Sequence, residues 1–272
     1  MMVEIGFLKE CITMEILDRF RLDGKRVFIS GGSRGLGREM ALALASAGAD
    51  IVLAARDQSN LEQTAEEIRQ YGREVVPLQA DMGEMSDCER VCQMALQQGP
   101  IDILVNNVGG RRVNIPTVEL PLETWRQLVD LNLTSTFLCT KLIGGAMVHR
   151  GEGGRVINIA SIAGMIANRE IGGRCYEAAK AAVIQFTRAT AVDWAPARVT
   201  VNAICPGFFM TEPNRRWKAE YPELIKTAES QIPMSEFGQP EDLGPLAVYL
   251  ASDAARYVTG ATMVIDGGYT LW

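Results

Sequence analysis

The chain carries one run with a clear fold signature, Val27-Phe28-Ile29-Ser30-Gly31-Gly32-Ser33-Arg34-Gly35-Leu36-Gly37. Its apolar start predicts a short buried β-strand, and the helical pattern of residues 35–48 predicts a helix directly after the glycines. Glycines between a strand and a helix let the backbone approach a pyrophosphate, while the helix N-terminus offers that anion its N–H groups and positive dipole end. The run therefore predicts a dinucleotide-binding turn. A glycine-rich turn that only packs is the alternative interpretation.

The same unit, a short apolar strand followed by a helix, recurs along the chain. Further strands are expected at 51–55, 75–78, 103–105, 156–159, 199–204 and 262–265, and further helices at 58–71, 84–97, 122–148, 175–194 and 240–251. Between the last two strands, residues 207–237 look irregular or loosely helical. Continuously apolar strands separated by helices indicate a parallel sheet covered on both faces, with right-handed crossovers. We therefore predict an α/β fold with a doubly wound, Rossmann-like parallel sheet of about seven strands.

We expect one dinucleotide-binding catalytic domain over residues 22–272, preceded by an N-terminal extension over residues 1–21. Met14 is a second candidate start of translation. If the protein begins there, residues 1–13 are an extension or a start-site artefact.

Composition and charge exclude several classes of function. The 272 residues are 47% hydrophobic and 22% charged, as in an ordinary globular protein, and the net charge is −6. This acidic balance argues against a nucleic acid or an anionic membrane as partner, and no apolar run reaches signal-peptide or membrane-spanning length. We expect a cytoplasmic protein that acts on a small molecule.

The cysteines and the single histidine do not predict a metal site. Six cysteines occur without a CxxC pair, so zinc ligands at suitable spacing are lacking. Scattered cysteines fit a reducing cytoplasm. Cys88 and Cys92 can meet on one helix face, where packing is the preferred interpretation.

The second strand indicates which dinucleotide is bound. An NAD site places an acidic residue on the ribose hydroxyls about 20 residues beyond the glycines. Here the strand ends in Ala54-Ala55-Arg56, and the first carboxylate, Asp57, follows the arginine. Arg34 lies inside the glycine turn, and two guanidiniums can hold a 2′-phosphate by forked, charge-assisted hydrogen bonds, although each can also be a solvated surface charge. We predict NADP(H) as the preferred cofactor, with NAD(H) left possible.

Tyr176 and Lys180 lie four residues apart in a predicted helix and therefore share one face. A neighbouring ammonium favours the phenolate form of a tyrosine, which makes its oxygen usable for proton transfer. The YxxxK spacing is common in proteins, so this pair needs support from the rest of the chain.

That support is a set of motifs in a fixed order. They are the glycine turn 30–37, Asn106-Asn107-Val108-Gly109, Asn132, Ser161, Tyr176-Glu177-Ala178-Ala179-Lys180 and Pro206-Gly207. With them the chain resembles the short-chain dehydrogenase/reductase family over about residues 22–272. Its glycine spacing is similar to that of the compact single-domain reductases. Ser30 stands where the family usually has threonine, and Val108 where it usually has alanine.

The resemblance implies roles for individual residues. Tyr176 would be the general acid in carbonyl reduction and the general base in alcohol oxidation, and Lys180 would hold the nicotinamide ribose and favour the phenolate. Ser161 would bind the substrate oxygen, and Asn132 would hold a water that links Lys180 to solvent. The implied cofactor-binding residues are Gly31, Ser33, Arg34, Gly35, Leu36, Gly37, Arg56, Asp81, Met82, Asn107, Gly109, Tyr176, Lys180, Pro206, Gly207 and Thr211. A homotetramer is also implied, with the helices near 122–148 and 175–194 in one interface.

Arginines recur in the segments expected to line the substrate pocket. They are Arg111, Arg112, Arg169, Arg174, Arg215 and Arg216, of which Arg111, Arg169, Arg174 and Arg215 are kept as substrate candidates. A guanidinium suits a carboxylate or phosphate, although loop arginines often point into water. We predict a sugar acid, polyol or similar small anion as substrate, and the run Asp266-Gly267-Gly268-Tyr269-Thr270 is similar to gluconate-type dehydrogenases. The alternatives are a 3-oxoacyl thioester reductase, which shares every catalytic residue, and a non-catalytic nucleotide-binding scaffold.

Overall fold

A seven-stranded parallel sheet forms the centre of the computed structural model, which describes residues 15–110, 113–167 and 173–272 without the side chains of Trp217 and Leu224. The strands are β1 (Arg26–Ser30), β2 (Asp50–Ala55), β3 (Val75–Gln79), β4 (Ile103–Asn106), β5 (Gly154–Ile159), β6 (Val199–Pro206) and β7 (Thr262–Ile265). Their spatial order is β3-β2-β1-β4-β5-β6-β7. All seven strands lie where the apolar runs predict them.

Helices connect these strands and cover both faces of the sheet. They are α1 (Gly35–Ser46), α2 (Gln58–Arg69), α3 (Met85–Gln97), α4 (Leu122–Val129), α5 (Ser135–Cys139), α6 (Gly145–Arg150), α7 (Arg174–Trp194), α8 (Glu212–Glu220), α9 (Pro222–Ser230) and α10 (Leu243–Ala251). Neighbouring residues of one strand point to opposite faces. Val27 and Ile29 of β1 join one apolar cluster, and Phe28 joins another. Both faces are therefore buried, and the predicted doubly wound architecture is confirmed.

The topological switch of the sheet determines where the sequence motifs meet. The strand order reverses between β1 and β4, which pair with Ser30 opposite Asn106. In open α/β sheets, ligands bind in the crevice beyond the carboxyl ends of the strands at such a point. The glycine turn after β1 and the Asn107–Gly109 run after β4 both leave the sheet there.

Two segments differ from the helices expected from sequence. The helix expected over 122–148 contains two π-helical stretches, Asp130–Thr134 and Thr140–Gly144, between α4, α5 and α6. The segment 207–237, expected to be irregular or loosely helical, forms two regular helices, α8 and α9. Pro222 is the first residue of α9, a position where proline costs no hydrogen bond, so the chain stops one helix and starts another there.

The continuous helical stretch Leu122–Arg150 is long and apolar enough to cross a membrane by length and composition. Half of its most apolar window is buried inside the fold. Cys139, Ile143 and Met147 of this stretch belong to the apolar core beneath the sheet. We therefore interpret it as a core helix, although the sequence analysis expected no run of membrane-spanning length.

Candidate active site

The glycine turn has a backbone that other residues cannot reproduce. Gly31 and Gly35 have φ angles of +69° and +53°, the left-handed region that favours glycine. A Cβ added to Gly37 would lie 2.1 Å from the carbonyl oxygen of Gly31 and 2.4 Å from Nδ2 of Asn107. The turn and the first residues of α1 therefore pack backbone to backbone, and the N-terminal N–H groups of α1 face the crevice.

A hydroxyl and an amide tie this turn to the segment after β4. The Ser30 Oγ accepts hydrogen bonds from the backbone N–H groups of Asn107 (3.1 Å) and Val108 (3.2 Å). In return, Nδ2 of Asn107 donates to the carbonyl oxygens of Ser30 (3.1 Å) and Gly31 (3.0 Å). The serine that replaces the family's threonine thus keeps the contact that needs a hydroxyl.

At the other end of the crevice, the first acidic residue after β2, Asp57, already forms a hydrogen bond within the protein. Asp57 is the N-cap of α2, and its Oδ1 accepts a hydrogen bond from the backbone N–H of Asn60 (2.9 Å). Arg56 is exposed, and its Nη1 lies 3.6 Å from Oδ2 of Asp81. Both side chains of this ion pair are solvent-accessible, so it is weak, and an incoming phosphate can replace the carboxylate as partner.

Arg56 and Asp81 line a cavity of about 300 Å³ together with Gln79, Ala80, Asp87 and Arg90. The backbone N–H of Asp81, which donates to Oδ2 of Asp87 (2.6 Å), and then the Arg90 guanidinium hold the pKa of Asp87 below its usual range. Asp87 is therefore ionised, and its carboxylate holds the loop after β3 through the backbone of Asp81. Met82, the other cofactor candidate on this loop, is buried in the apolar core.

Lys180 is buried on α7, and its Nζ donates a hydrogen bond to the carbonyl oxygen of Ile159 at the end of β5 (2.7 Å). The same Nζ lies 5.9 Å from the ring centroid of Tyr176, so the two side chains share a face as the spacing predicts. Burial lowers the pKa of Lys180 to about 8. The neighbouring Cys205 thiol has its pKa raised by burial to about 11, so its sulfur is uncharged at neutral pH.

Asn132 reaches the same place from a different element. It lies in the π-helical stretch Asp130–Thr134, and such stretches often mark functional sites. Its Oδ1 accepts from the backbone N–H of Gly110 (2.7 Å), and its Nδ2 donates to the carbonyl oxygens of Gly110 (3.1 Å) and Leu128 (2.9 Å). A Cβ added to Gly109 would lie 2.7 Å from Nζ of Lys180 and 2.9 Å from Oδ1 of Asn132. Asn132 and Lys180 therefore flank Gly109.

Ser161 follows β5 and begins a short 3₁₀ turn, Ile162–Gly164. Its Oγ accepts a hydrogen bond from the backbone N–H of Ala163 (3.1 Å). At the end of the turn, a Cβ added to Gly164 would lie 2.6 Å from the backbone carbonyl carbon of Lys180. The sequence analysis did not identify Gly164. Its lack of a side chain lets the serine turn lie directly against the helix that carries Tyr176 and Lys180.

The segment after β6 closes the remaining side of the crevice. The backbone N–H of Gly207 donates to the carbonyl oxygen of Ile265 (2.9 Å). Thr211 lies over the glycine turn, because a Cβ added to Gly35 would be 3.8 Å from its Cγ2. Pro206, the last residue of β6, precedes this segment. The motifs from six separate regions of the sequence thus meet at one edge of the sheet.

The candidate substrate arginines are less clearly assembled. Arg111 and Arg169 lie outside the described residues. Arg174 forms an ion pair with Glu177 on its own helix, at 2.8 Å. Arg215 is exposed and lines a cavity of about 390 Å³ with Met210, Lys218, Ala219, Glu229, Glu236, Phe237 and Gln239. That lining does not include Tyr176 or Ser161, so contact between Arg215 and a substrate remains a prediction.

The buried amine of Lys180 makes a testable prediction about stability. Below pH 8 the lysine is charged in both the folded and the unfolded chain, so the folded state bears the full cost of burying an ammonium. Between about pH 8 and 10.5 the folded chain loses this proton first, so wild-type stability rises with pH. Lys180→Met lacks the proton. Across this interval, the free energy of unfolding of the wild type should therefore rise by about 3 kcal/mol relative to that of the variant.

Denaturant unfolding of both proteins without cofactor, from pH 7 to pH 10.5, measures this difference. If the two stability curves run parallel, the lysine is not desolvated as its burial indicates.

Comparison with known proteins gives a consistent set of relatives. The family model described as enoyl-(acyl carrier protein) reductase matches residues 31–270. The galactitol 2-dehydrogenase (L-tagatose-forming) of Cereibacter sphaeroides is 38% identical over 254 residues, covering 93% of this chain and 98% of that enzyme. The 2-dehydro-3-deoxy-D-gluconate 5-dehydrogenase of Dickeya dadantii is 36% identical, covering 93% of this chain and 98% of that enzyme.

A solved structure of similar fold has its nucleotide bound. It is the 3-oxoacyl (acyl-carrier-protein) reductase of Agrobacterium tumefaciens C58 with NADP, which is 29% identical, with a TM-score of 0.89. The match covers 96% of this chain and the whole of that one.

Proposed function

The chain belongs to the short-chain dehydrogenase/reductase family, and from this premise we propose that it interconverts a secondary alcohol and a ketone with Tyr176 as general acid and base. It is an NAD(P)-dependent oxidoreductase. The observation that carries the proposed mechanism is the buried amine of Lys180, which lies beside the Tyr176 ring and across Gly109 from Asn132. Three elements of the fold contribute to that arrangement, so chance spacing does not account for it.

The crevice fits a dinucleotide. A backbone-only turn opens α1, which suits a pyrophosphate, and Asn107, Gly109, Pro206, Gly207 and Thr211 border the same edge of the sheet. A bound nicotinamide supplies the hydride chemistry, and the protein supplies orientation and proton transfer.

We assign the proton chemistry to three side chains. Tyr176 delivers a proton to the carbonyl oxygen during reduction and removes it during oxidation. Lys180, buried and held by the carbonyl of Ile159, favours the phenolate and binds the ribose hydroxyls. Ser161 donates a hydrogen bond to the substrate oxygen as negative charge develops there.

Asn132 connects this site to the helix below it. Its amide is fixed by Gly110 and Leu128 and faces the lysine across Gly109. In this position it supports a water that relays protons between Lys180 and solvent. Loss of this relay would slow proton exchange without removing any atom that touches the substrate.

We propose NADP(H) as the preferred cofactor. Asp57 is occupied as a helix cap, so the carboxylate that an NAD site places on the ribose is already engaged. Arg56 and the exposed Arg34 at the N-cap of α1 offer positive charge to a 2′-phosphate. The bound NADP in the Agrobacterium tumefaciens relative supports this choice.

Arg56→Asp should reverse this preference. The variant loses a charge-assisted contact to the phosphate and gains an acid that can accept hydrogen bonds from ribose hydroxyls, so the ratio of kcat/KM for NADPH over NADH should fall by at least about tenfold. Arg69→Asp on α2 is the matched control, because it makes the same change of charge on an exposed residue that does not line the cavity. If both variants change the ratio equally, general electrostatics and not Arg56 determine the preference.

For the substrate we propose a sugar acid or polyol. The relatives named galactitol 2-dehydrogenase and 2-dehydro-3-deoxy-D-gluconate 5-dehydrogenase support a small polyhydroxylated molecule. Arg215 lines a cavity and gives an acidic group one cation to approach, while Lys218 in the same cavity is paired with Glu229. A 3-oxoacyl thioester is the second candidate, favoured by the acyl-carrier reductase names of the family model and of one structural neighbour.

A substrate panel separates these two candidates. We expect oxidation of a galactitol-type polyol or a gluconate-type acid with NADP⁺ to exceed reduction of an acetoacetyl thioester with NADPH by at least about tenfold in kcat/KM, which corresponds to an activation free energy about 1.4 kcal/mol lower. The measurement is initial velocity with both cofactors for each compound. Preference for the thioester would assign the enzyme to acyl reduction, and turnover of neutral lipophilic ketones alone would remove the arginines from the argument.

We further propose that residues 22–272 act as one catalytic domain in a cytoplasmic homotetramer. Phe137 on α5 and Val192 on α7 are 44% and 77% exposed, which gives these two helices an apolar outer face. Leu271 and Trp272 at the C-terminus are 84% and 80% exposed. The five cysteines within the described residues are free thiols, which fits a reducing compartment. Light scattering, with a subunit mass of 29.7 kDa, measures the assembly.

A further inference from the structure

Three thiols meet in the core, away from the proposed catalytic groups. Cys88 and Cys92 lie one turn apart on α3, and Cys139 is the last residue of α5. The Cys139 sulfur lies 3.6 Å from each of the other two, and all three sulfurs lie within 4.8 Å of one another. From sequence, only Cys88 and Cys92 were expected to share a face, with packing as their role. Because α5 packs against α3, Cys139 adds a third sulfur to this pair.

Two of the three separations between the sulfurs, at 3.6 Å, match those around a single bound ion. Metal–thiolate bonds of about 2.3 Å at tetrahedral angles hold two sulfurs about 3.8 Å apart. Side chains therefore need to move little for one ion to bind all three. Cys88, Cys92 and Cys139 are 0%, 0% and 1% exposed, so the site is closed to solvent.

The apolar surroundings of the three cysteines favour a bound centre whose complex with them carries no net charge. Val91, Ala95, Leu104 and Leu138 belong to the same apolar cluster. Over the residues that the structure describes, no histidine or carboxylate joins the three sulfurs, and the Cys88 Sγ donates a hydrogen bond to the carbonyl oxygen of Ser135 (3.8 Å). Three thiolates leave a net charge of −2 on a monovalent ion and −1 on a divalent ion, and zero on a trivalent ion. An apolar interior disfavours the charged complexes.

We propose that Cys88, Cys92 and Cys139 form a binding site for one trivalent, thiol-seeking centre of the arsenite class. Zinc fits less well, because a structural zinc site takes four ligands and this cluster supplies three. Arsenite at neutral pH is an uncharged trihydroxide, so it can enter through a transient separation of α3 and α5 without losing a charged hydration shell. Three S–H bonds and three As–O bonds break, three As–S bonds form, and the three thiol protons leave with the three hydroxides as water. The arsenic remains trivalent throughout.

Occupancy has a structural consequence. α3 follows the loop that carries Asp81, and α5 follows the π-helical stretch that carries Asn132. A bound ion would cross-link these two helices. It should therefore raise the thermal midpoint of the protein, by several degrees, and binding should be slow because it waits for the core to open.

The test uses the reduced full-length chain with sodium arsenite at pH 7, in the presence of a phosphine rather than a dithiol reductant. After gel filtration, elemental analysis should find one arsenic per chain, and X-ray absorption should count three sulfur neighbours. The thermal midpoint should rise only in the arsenite-treated sample. Less than one arsenic per chain at saturating arsenite, or two sulfur neighbours, would overturn the proposal.

Single variants assign the site. Loss of a direct ligand should exceed the 10- to 100-fold loss typical of outer-shell partners, so Cys92→Ala and Cys139→Ala should each bind arsenite at least about 100-fold more weakly. Cys175→Ala, another buried cysteine, is the matched control and should bind within about twofold of wild type. If all three variants lose the same amount of arsenite affinity, the assignment is wrong. It is also wrong if zinc at equal concentration displaces arsenite from the wild type. If a variant does not fold, the sulfur count on the wild type still decides the matter.

Discussion

Replacing Tyr176 by phenylalanine should lower kcat roughly 10²- to 10⁴-fold, the usual contribution of a general acid or base. The change removes one phenolic oxygen and leaves the ring beside the Lys180 amine, 5.9 Å from its centroid, in place. Substrate reduction then lacks the group that delivers a proton to the carbonyl oxygen. The measurement is single-turnover hydride transfer, followed by the absorbance of the reduced nicotinamide, so that product release does not mask the chemical step.

Cofactor affinity separates this role from a merely structural one. The dissociation constant of NADPH, measured by fluorescence, should change less than about twofold, because the pyrophosphate turn is untouched. Tyr71→Phe, a half-exposed tyrosine beyond the end of α2, is the matched control and should keep full activity. Two results together would favour the scaffold hypothesis. The wild type would bind NADPH without turning over any compound of the panel, and Tyr176→Phe would leave the affinity for a protein partner unchanged.

The parts of this site that the sequence predicts are those specified by local patterns. A residue four positions from another on a helix shares its face whatever surrounds it, so Tyr176 and Lys180 can be paired from spacing alone. The glycine turn is equally local, because its strand and helix are neighbours in the chain. Parallel strand order then brings the ends of β1 and β4 together, which places Asn107 against Ser30 and Gly31.

The rest depends on contacts between distant segments, which no single stretch encodes. The π-helical stretch around Asn132 lies in a run that reads as ordinary helix, since an extra residue per turn leaves little trace in the apolar pattern. Gly164 is one of 26 glycines in the sequence, and only its contact with the Lys180 backbone distinguishes it. Cys139 joins Cys88 and Cys92 across 51 and 47 positions of chain, respectively, so the cluster exists only after α3 and α5 pack.

Gly37→Ala should have the largest effect on nucleotide binding. The added methyl would lie 2.1 Å from the Gly31 carbonyl oxygen, a backbone atom that cannot rotate away. Relief requires a shift of the glycine turn itself, at the point where the backbone approaches the pyrophosphate. Overpacking of this kind costs about 1–3 kcal/mol or more, so NADPH affinity should fall roughly 100-fold. Isothermal titration with NADPH measures the loss directly.

A second helical glycine shows whether the backbone contact is the cause. Gly145, the first residue of α6, has no heavy atom within 4 Å of the position its Cβ would take, apart from its chain neighbours and the backbone of its own helix. Alanine there should leave NADPH affinity unchanged and should stabilise the protein by about 0.4–1 kcal/mol, because the unfolded chain loses conformational freedom. The two substitutions are chemically identical, and both replace a helical glycine. If Gly37→Ala binds NADPH as tightly as Gly145→Ala, then the turn after β1 does not hold the pyrophosphate through its backbone, and the cofactor must be anchored by side chains such as Arg34 and Arg56.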